Sequence, residues 1–150
     1  RVALLPDQAW DGTPFGGAKI ALVQDGLILT YLRDDKPDIR FPGLWDLPGG
    51  GREGGETPLA CVARELFEEF GIRLDRDRLV GVRRYPPSKT TPLPVFFYWG
   101  YLAPGQLGQI RFGDEGQRWC MMVVDEFLAR ADAVKPLQQR VRDCLPDFEL

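Results

Sequence analysis

Apolar residues along the chain cluster into short runs broken by turn-forming residues, with two stretches that repeat at helical spacing. Lys19 to Val23 and Leu27 to Leu32 are apolar runs separated by Gln24, Asp25 and Gly26. An Asp-Gly pair between β-prone runs predicts a hairpin. Leu79 to Tyr85, Val95 to Leu102 and Trp119 to Val124 are further β-prone runs, the second carrying Phe96, Phe97, Tyr98, Trp99 and Tyr101. Four prolines make Pro86 to Pro94 a loop. Asp34 to Pro48 is a loop broken by a short piece at Leu44 to Leu47, and Gly105 to Gly116 is another loop. Arg1 to Gly17 is irregular, with a short leading strand expected at Val2 to Leu5.

Helical spacing sets in at Pro58. Thr57 suits an N-cap, Pro58 the first helical position and Gly71 a C-terminal stop, so the helix is expected over 58–70. Asp125 is expected to cap a short helix through Arg130. Pro136 opens a last helix to about Leu145, with Leu137, Val141, Cys144 and Leu145 on its inner side. Strands, helix, strands and then helices describe a mixed α/β (α+β) chain, and the length fits one domain over 1–150.

The helix at 58–70 carries the candidate chemistry. At about 100° per residue, Val62, Ala63, Leu66 and Phe70 fall within about 60° of Leu59 and form the core face. Glu68, Glu65 and Glu69 fall at about 180°, 240° and 280°, an acidic stripe facing away from that core, with Arg64 at its edge. A solvated face with an Arg64–Glu68 ion pair is the plain explanation. Two penalties weigh against it. The glutamates are like-charged neighbours, and they sit near the negative end of the helix. A bound divalent cation reverses both. Gly49, Gly50, Gly51, Gly54 and Gly55 crowd into what reads as a tight loop just before the helix, where backbone groups approach a ligand without side chains in the way. A tight connector is the simpler explanation of the glycines alone. Carbonyl and carboxylate oxygens together suit a metal, and backbone amides suit phosphate.

Composition narrows the chemistry. The chain has no histidine, which removes Ser-His-Asp and Cys-His catalysis in their usual forms and His-ligated zinc, iron or haem. Hard oxygen ligands then point to Mg²⁺ or Mn²⁺. Nineteen basic against 22 acidic residues give a net charge of −3, so no nucleic-acid partner is expected. Cys61, Cys120 and Cys144 are widely spaced and read as reduced, mostly buried thiols of a cytoplasmic protein. No apolar run is long enough to span a membrane and no signal-peptide pattern appears. The first residue is Arg1 rather than Met, which leaves a preceding segment open.

Gly50 to Ile72 resembles the Nudix box. The family pattern is a Gly, five residues, a Glu, seven residues, then Arg-Glu-aliphatic-x-Glu-Glu-x-Gly-aliphatic. Gly50, Glu56, Arg64, Glu65, Leu66, Glu68, Glu69, Gly71 and Ile72 meet every fixed position. The resemblance implies a mixed sheet sandwiched between helices and hydrolysis of nucleoside diphosphate-linked compounds with Mg²⁺ or Mn²⁺. It assigns metal binding to Glu68 and Glu69, with Glu65 a further ligand or the base. Arg64 orients the glutamates, Glu56 supports the helix and loop, and the Gly49 carbonyl is a further metal ligand. A late-loop acid completes the set: Glu115 fits, with Asp114 as competitor. Glu65 and Glu115 compete equally for the base.

The box leaves the substrate open. The short chain resembles MutT-like members, which convert nucleoside triphosphates to monophosphate and pyrophosphate. ADP-ribose, nucleotide sugars and dinucleoside polyphosphates are the alternatives, and a nucleotide-sensing domain without catalysis is the rival class. Arg33 resembles a substrate-contacting Arg of MutT-like members, and a solvated strand-end Arg is its equal rival. Gly50 is placed at the substrate by the resemblance. Many members carry a basic residue after two glycines, where Gly51 stands here; Arg52, one position later and in a different register, is the candidate substitute for contacting substrate. Lys89 is a candidate for a terminal phosphate. Tyr98, Trp45 and Phe96 are candidates for base stacking, with core packing the commoner role. The guanine-reading Asn of MutT-like members has no counterpart in Ala133-Val134-Lys135-Pro136. A homodimer through the aromatic run remains open.

Overall fold

The computed structural model describes residues 9–149, so the strand expected at Val2 to Leu5 lies outside the described residues. Seven strands form one mixed sheet: β1 (Gly17–Gln24), β2 (Leu27–Leu32), β3 (Trp45–Asp46), β4 (Gly49–Gly51), β5 (Leu79–Tyr85), β6 (Val95–Tyr101) and β7 (Arg118–Val123). Among the described residues three α-helices accompany them: α1 (Pro58–Phe70), α2 (Val124–Ala129) and α3 (Lys135–Cys144). The hairpin is present as expected. Asp25 and Gly26 have φ of 52° and 76°, the two left-handed positions of a tight two-residue turn.

The sheet is forked. β1 and β2 pair only next to their turn, at Val23–Ile28 and Gln24–Leu27. Beyond it they part, and β3 lines the inner edge of β2 while β4 lines the inner edge of β1. Their outer edges are fully paired, β1 with β6 in parallel and β2 with β7 antiparallel.

Alternation along the strands feeds two cores. Ala18, Ile20, Leu22, Phe96 and Tyr98 pack with Leu59, Cys61, Val62, Leu66 and Phe70 of α1. Ala21, Val23, Phe97 and Trp99 pack with Phe127, Leu137, Val141 and Cys144 of α2 and α3. The sheet is thus sandwiched between helices. α1 is bounded as its sequence predicts: the Thr57 hydroxyl accepts from the Ala60 amide at 3.1 Å, and Gly71 closes the helix at φ 69°. Thr57→Ala is expected to cost about 1 kcal/mol, read as a lower denaturant midpoint.

Three expectations need correction. Gly49–Gly51 is a strand, because each residue pairs with β1 from Lys19 back to Gly17. Val123 rather than Asp125 stands at the N-cap of α2, without a side-chain cap bond. Leu145 belongs to a 3₁₀ turn after α3 and is only partly buried.

Candidate active site

The glutamate stripe of α1 is not a solvent face. β1 and β4 pack over it, which buries Cys61 completely and Glu69 to 8 % exposure. Glu69 stood at about 280° on the helix projection, only about 20° from Val62 at the core edge. The covering strands turn that edge inward. Glu65 is half-buried and Glu68 is exposed.

Glycine is required where the strand meets the helix. Gly49 has φ 128°, and a Cβ on it would overlap the Ala18 carbonyl. A Cβ on Gly50 would lie 2.5 Å from Glu65 Oε2. Gly50→Ala therefore has to displace the Glu65 carboxylate, and at least about a tenfold loss of kcat with a folded far-UV spectrum is expected.

Arg64 holds the acidic cluster in place. Its guanidinium donates to Glu56 at 2.6 and 3.1 Å, to Glu65 Oε1 at 2.8 Å, to Glu68 at 3.1 Å and to the Gly51 carbonyl at 2.9 Å. The ion pair with Glu68 exists, but as one arm of this fan. Glu56 also accepts from the Glu53 amide at 2.8 Å, and the Arg64 hydrogen bonds hold its carboxyl below the usual range.

Glu69 Oε1 accepts from the Gly49 amide at 2.9 Å. Burial pushes its carboxyl up to about 8, against the opposing pull of Lys19. Burial also raises Glu65, against the pull of Arg64. Lys19 is the cation next to this pair, and its ammonium is already used: Nζ donates to Asp46 Oδ2 at 3.1 Å and to the Leu47 and Gly49 carbonyls at 3.0 Å each. Two desolvated carboxylates beside a backbone carbonyl form a hard-oxygen donor set that fits Mg²⁺ or Mn²⁺. Among the described residues no three acids already converge on one point, because Arg64 draws Glu68 and one oxygen of Glu65 aside.

A cleft of about 530 Å³ opens over this site. Glu65, Glu69, Gly49, Gly50, Arg33 and Glu115 line it. Glu115 reaches it because the 113–117 loop is tied down by Gly113 N to Glu69 O at 2.9 Å and Gln117 N to Leu32 O at 2.8 Å. Asp114 does not line the cleft. Arg52 and Lys89 are not brought to it either. Arg52 donates to the Glu56 carbonyl and lies over the Phe15 and Trp10 rings at 4.5 and 5.5 Å, while Lys89 is exposed beside cleft-lining Ser88 and Thr90. Tyr98, Trp45 and Phe96 are all buried in the cores, and of these only Phe96 touches the cleft. Cys61 and Cys144 are buried, and burial pushes their thiols up to about 11 and about 12.

At the crotch of the fork sits a charge cluster that the sequence analysis missed. Asp46 is 2 % exposed and its Oδ2 accepts from Lys19 at 3.1 Å, Arg33 at 2.9 Å and the Tyr31 hydroxyl at 3.1 Å. Its Oδ1 accepts from the Leu47 amide at 2.7 Å. The signal was present: Lys19 and Asp46 are lone opposite charges in apolar strands, each in need of a partner.

The family and the fold are seen in known proteins. The chain is 45 % identical over 65 residues to a MutT-like protein of Streptomyces ambofaciens, a match covering 43 % of the chain and 38 % of that curated relative's length. The MutT protein of Methanosarcina mazei Go1 superposes with a TM-score of 0.66 at 18 % identity, over 87 % of this chain and 92 % of that one. The MutT NUDIX hydrolase of Burkholderia pseudomallei superposes with a TM-score of 0.61 at 26 % identity, over 91 % of this chain and 99 % of that one. The NUDIX domain profile matches residues 16–148, so the described sheet, its fork and the glutamate helix all fall within the match, and the chain belongs to the NUDIX domain family.

Proposed function

We propose that the chain is a metal-dependent hydrolase of nucleoside diphosphate-linked compounds, and specifically a MutT-like pyrophosphohydrolase that splits a nucleoside triphosphate into monophosphate and pyrophosphate. The observation that carries this is the desolvated Glu65–Glu69 pair facing the cleft beside Gly49–Gly51. Glu69 and the Gly49 carbonyl would hold Mg²⁺ or Mn²⁺, with Glu65 lining the cleft beside them, Glu115 exposed at its rim and Glu68 turned aside toward Arg64. Bound there, the metal supplies charge neutralisation of the diphosphate and acidification of a water.

The chain's own residues do the rest. Arg64 holds Glu65 by Oε1, which leaves Oε2 beside Gly50 to accept a proton from the attacking water. Desolvation raises Glu65 toward the range where a carboxylate is an effective base. Glu115 is exposed at the rim, so Glu65 is the better-placed base. Arg33, fixed by Asp46, presents its guanidinium to the substrate's phosphates. One further observation favours the ADP-ribose, nucleotide-sugar or dinucleoside polyphosphate alternative: the cleft continues past the glutamates to Pro136 and Leu137, room for a second moiety.

The test is a phosphate- and nucleotide-release screen with Mg²⁺ and Mn²⁺ on ordinary and oxidised (d)NTPs, ADP-ribose, nucleotide sugars and dinucleoside polyphosphates, with Glu69→Gln as control. Turnover of triphosphates to pyrophosphate, lost in the control, is expected. Turnover confined to another group replaces the substrate. Metal binding and nucleotide binding without any turnover would identify a sensor.

A further inference from the structure

The cleft has two ends. Glu65 and Glu69 on α1 belong to one helical layer, and Arg140 on α3 belongs to the other, yet both ends line the same cavity. Lys19 and Arg33 share the single carboxylate of Asp46, so each is compensated only in part. Two further cations of the cleft share no acid. Arg140 is half-buried and lies over the Tyr85 ring at 4.8 Å, with no hydrogen bond or ion pair among the described residues. The acid one turn away on α3, Asp143, is already used on both oxygens: Oδ2 takes the Tyr85 hydroxyl at 2.8 Å and Arg83 at 3.6 Å, and Oδ1 takes Gln139 at 3.0 Å. Burial holds the Arg140 guanidinium below the usual arginine range, against the opposing pull of Tyr85 and Asp143.

Arg40 is exposed and lines the same cleft from the loop whose carbonyl at Arg40 accepts from Arg33 Nε at 2.8 Å. Its guanidinium lies over the Phe41 ring at 5.1 Å, and its side chain has no acid partner among the described residues. The backbone bridge between Trp45 and Ala133, with Val134 N donating to Trp45 O at 3.0 Å, brings the loop of Arg40 and Phe41 beside the start of α3. Two guanidinium groups, each over a ring and neither within ion-pair distance of a carboxylate, thus line one cavity. A cation held over a ring face uses none of its N–H groups there, so its donors stay free for a planar or tetrahedral oxyanion.

We infer that Arg140 and Arg40 form an anion subsite, and that the substrate carries a second anionic group beyond the diphosphate held at the glutamates. This rests on the diphosphate-hydrolase proposal above. In a nucleoside triphosphate the group is the terminal phosphate. In a nucleotide sugar it is a phosphate or carboxylate on the sugar. An uncharged distal sugar leaves both guanidinium groups without a partner.

The test uses three matched pairs: ATP against ADP, ADP-ribose 1″-phosphate against ADP-ribose, and UDP-glucuronate against UDP-glucose. Binding is measured by calorimetry in EDTA, so that it does not depend on turnover, and KM is measured separately with Mg²⁺. In at least one pair the more anionic member is expected to bind roughly tenfold tighter, with Arg140→Gln and Arg40→Gln each removing most of that ratio and Arg140→Lys keeping part of it. The pair that responds distinguishes a phosphate from a carboxylate. Arg40 is on an exposed loop, so its variant still reads the subsite if Arg140→Gln fails to fold. Equal binding in all three pairs, undetectable binding in all, or a preference that both variants leave unchanged overturns the subsite. Preference for the anionic member without hydrolysis upholds the subsite and overturns the hydrolase proposal. Hydrolysis without preference does the reverse.

Discussion

Glu69→Gln should abolish metal-dependent turnover, by about 10³-fold or more, while making the metal-free protein more stable at alkaline pH. The two effects have one cause. Burial under β4 raises the Glu69 carboxyl to about 8 from an ordinary 4.5. Between those values the folded metal-free chain holds a proton that the unfolded chain has released. The folded state is therefore favoured most below pH 4.5, and this contribution is lost as pH rises through 8. Taken over the whole window this is at most about 5 kcal/mol. Glutamine has no proton to lose, so the variant should lack that slope in EDTA. Wild type should regain its alkaline stability on adding Mg²⁺ or Mn²⁺, and the variant should gain far less. Thermal unfolding from pH 5 to 9, with and without metal, checks all of this. A wild-type profile indifferent to metal at pH 8.5 would count against the metal site.

Asp46→Ala should be the most destabilising single change near the cleft, by about 3 kcal/mol. The substitution removes the one carboxylate that Lys19, Arg33 and Tyr31 share, and leaves two partly buried cations side by side. Their mutual repulsion falls at the crotch of the fork, where β1 and β2 are held apart by β3 and β4. Against the few kcal/mol by which domains are stable, that is a large fraction. Denaturant titration gives the stability. Arg33 also loses its fixed position, so KM should rise even at temperatures where the variant remains folded. Asp46→Asn keeps the acceptor and loses the charge, and an intermediate result is expected.

Local sequence determined most of the elements. The Asp25-Gly26 turn is dictated by two residues that tolerate positive φ, and α1 by a capping Thr57, an initiating Pro58 and a terminating Gly71. The nine fixed positions from Gly50 to Ile72 are close in the chain, so the glutamates, their Arg64 and the glycine approach were legible together. What tertiary structure decided depends on partners far away in sequence. Three consecutive glycines carry no strand propensity, and Gly49–Gly51 becomes a strand only because β1 offers it a free edge. That pairing covers the glutamate stripe, buries Glu69 and separates it from Glu68, which stays exposed one residue earlier.

The same holds for the cations. Lys19, Arg33 and Asp46 meet because β1 and β2 diverge, and Arg40 and Arg140 share a cavity because Trp45 bridges Ala133. Arg52 and Lys89, nearer to the box or to a phosphate-like loop in sequence, point elsewhere. A helix fixes which residues share its face through its own 3.6-residue period, a property of local sequence. Which of those faces is desolvated, and which charges are left without a counter-charge, is set by what packs over them. The sequence by itself therefore determined the elements and the acidic helix. The tertiary structure decided which acids are buried, which cations are spent and which remain for a ligand.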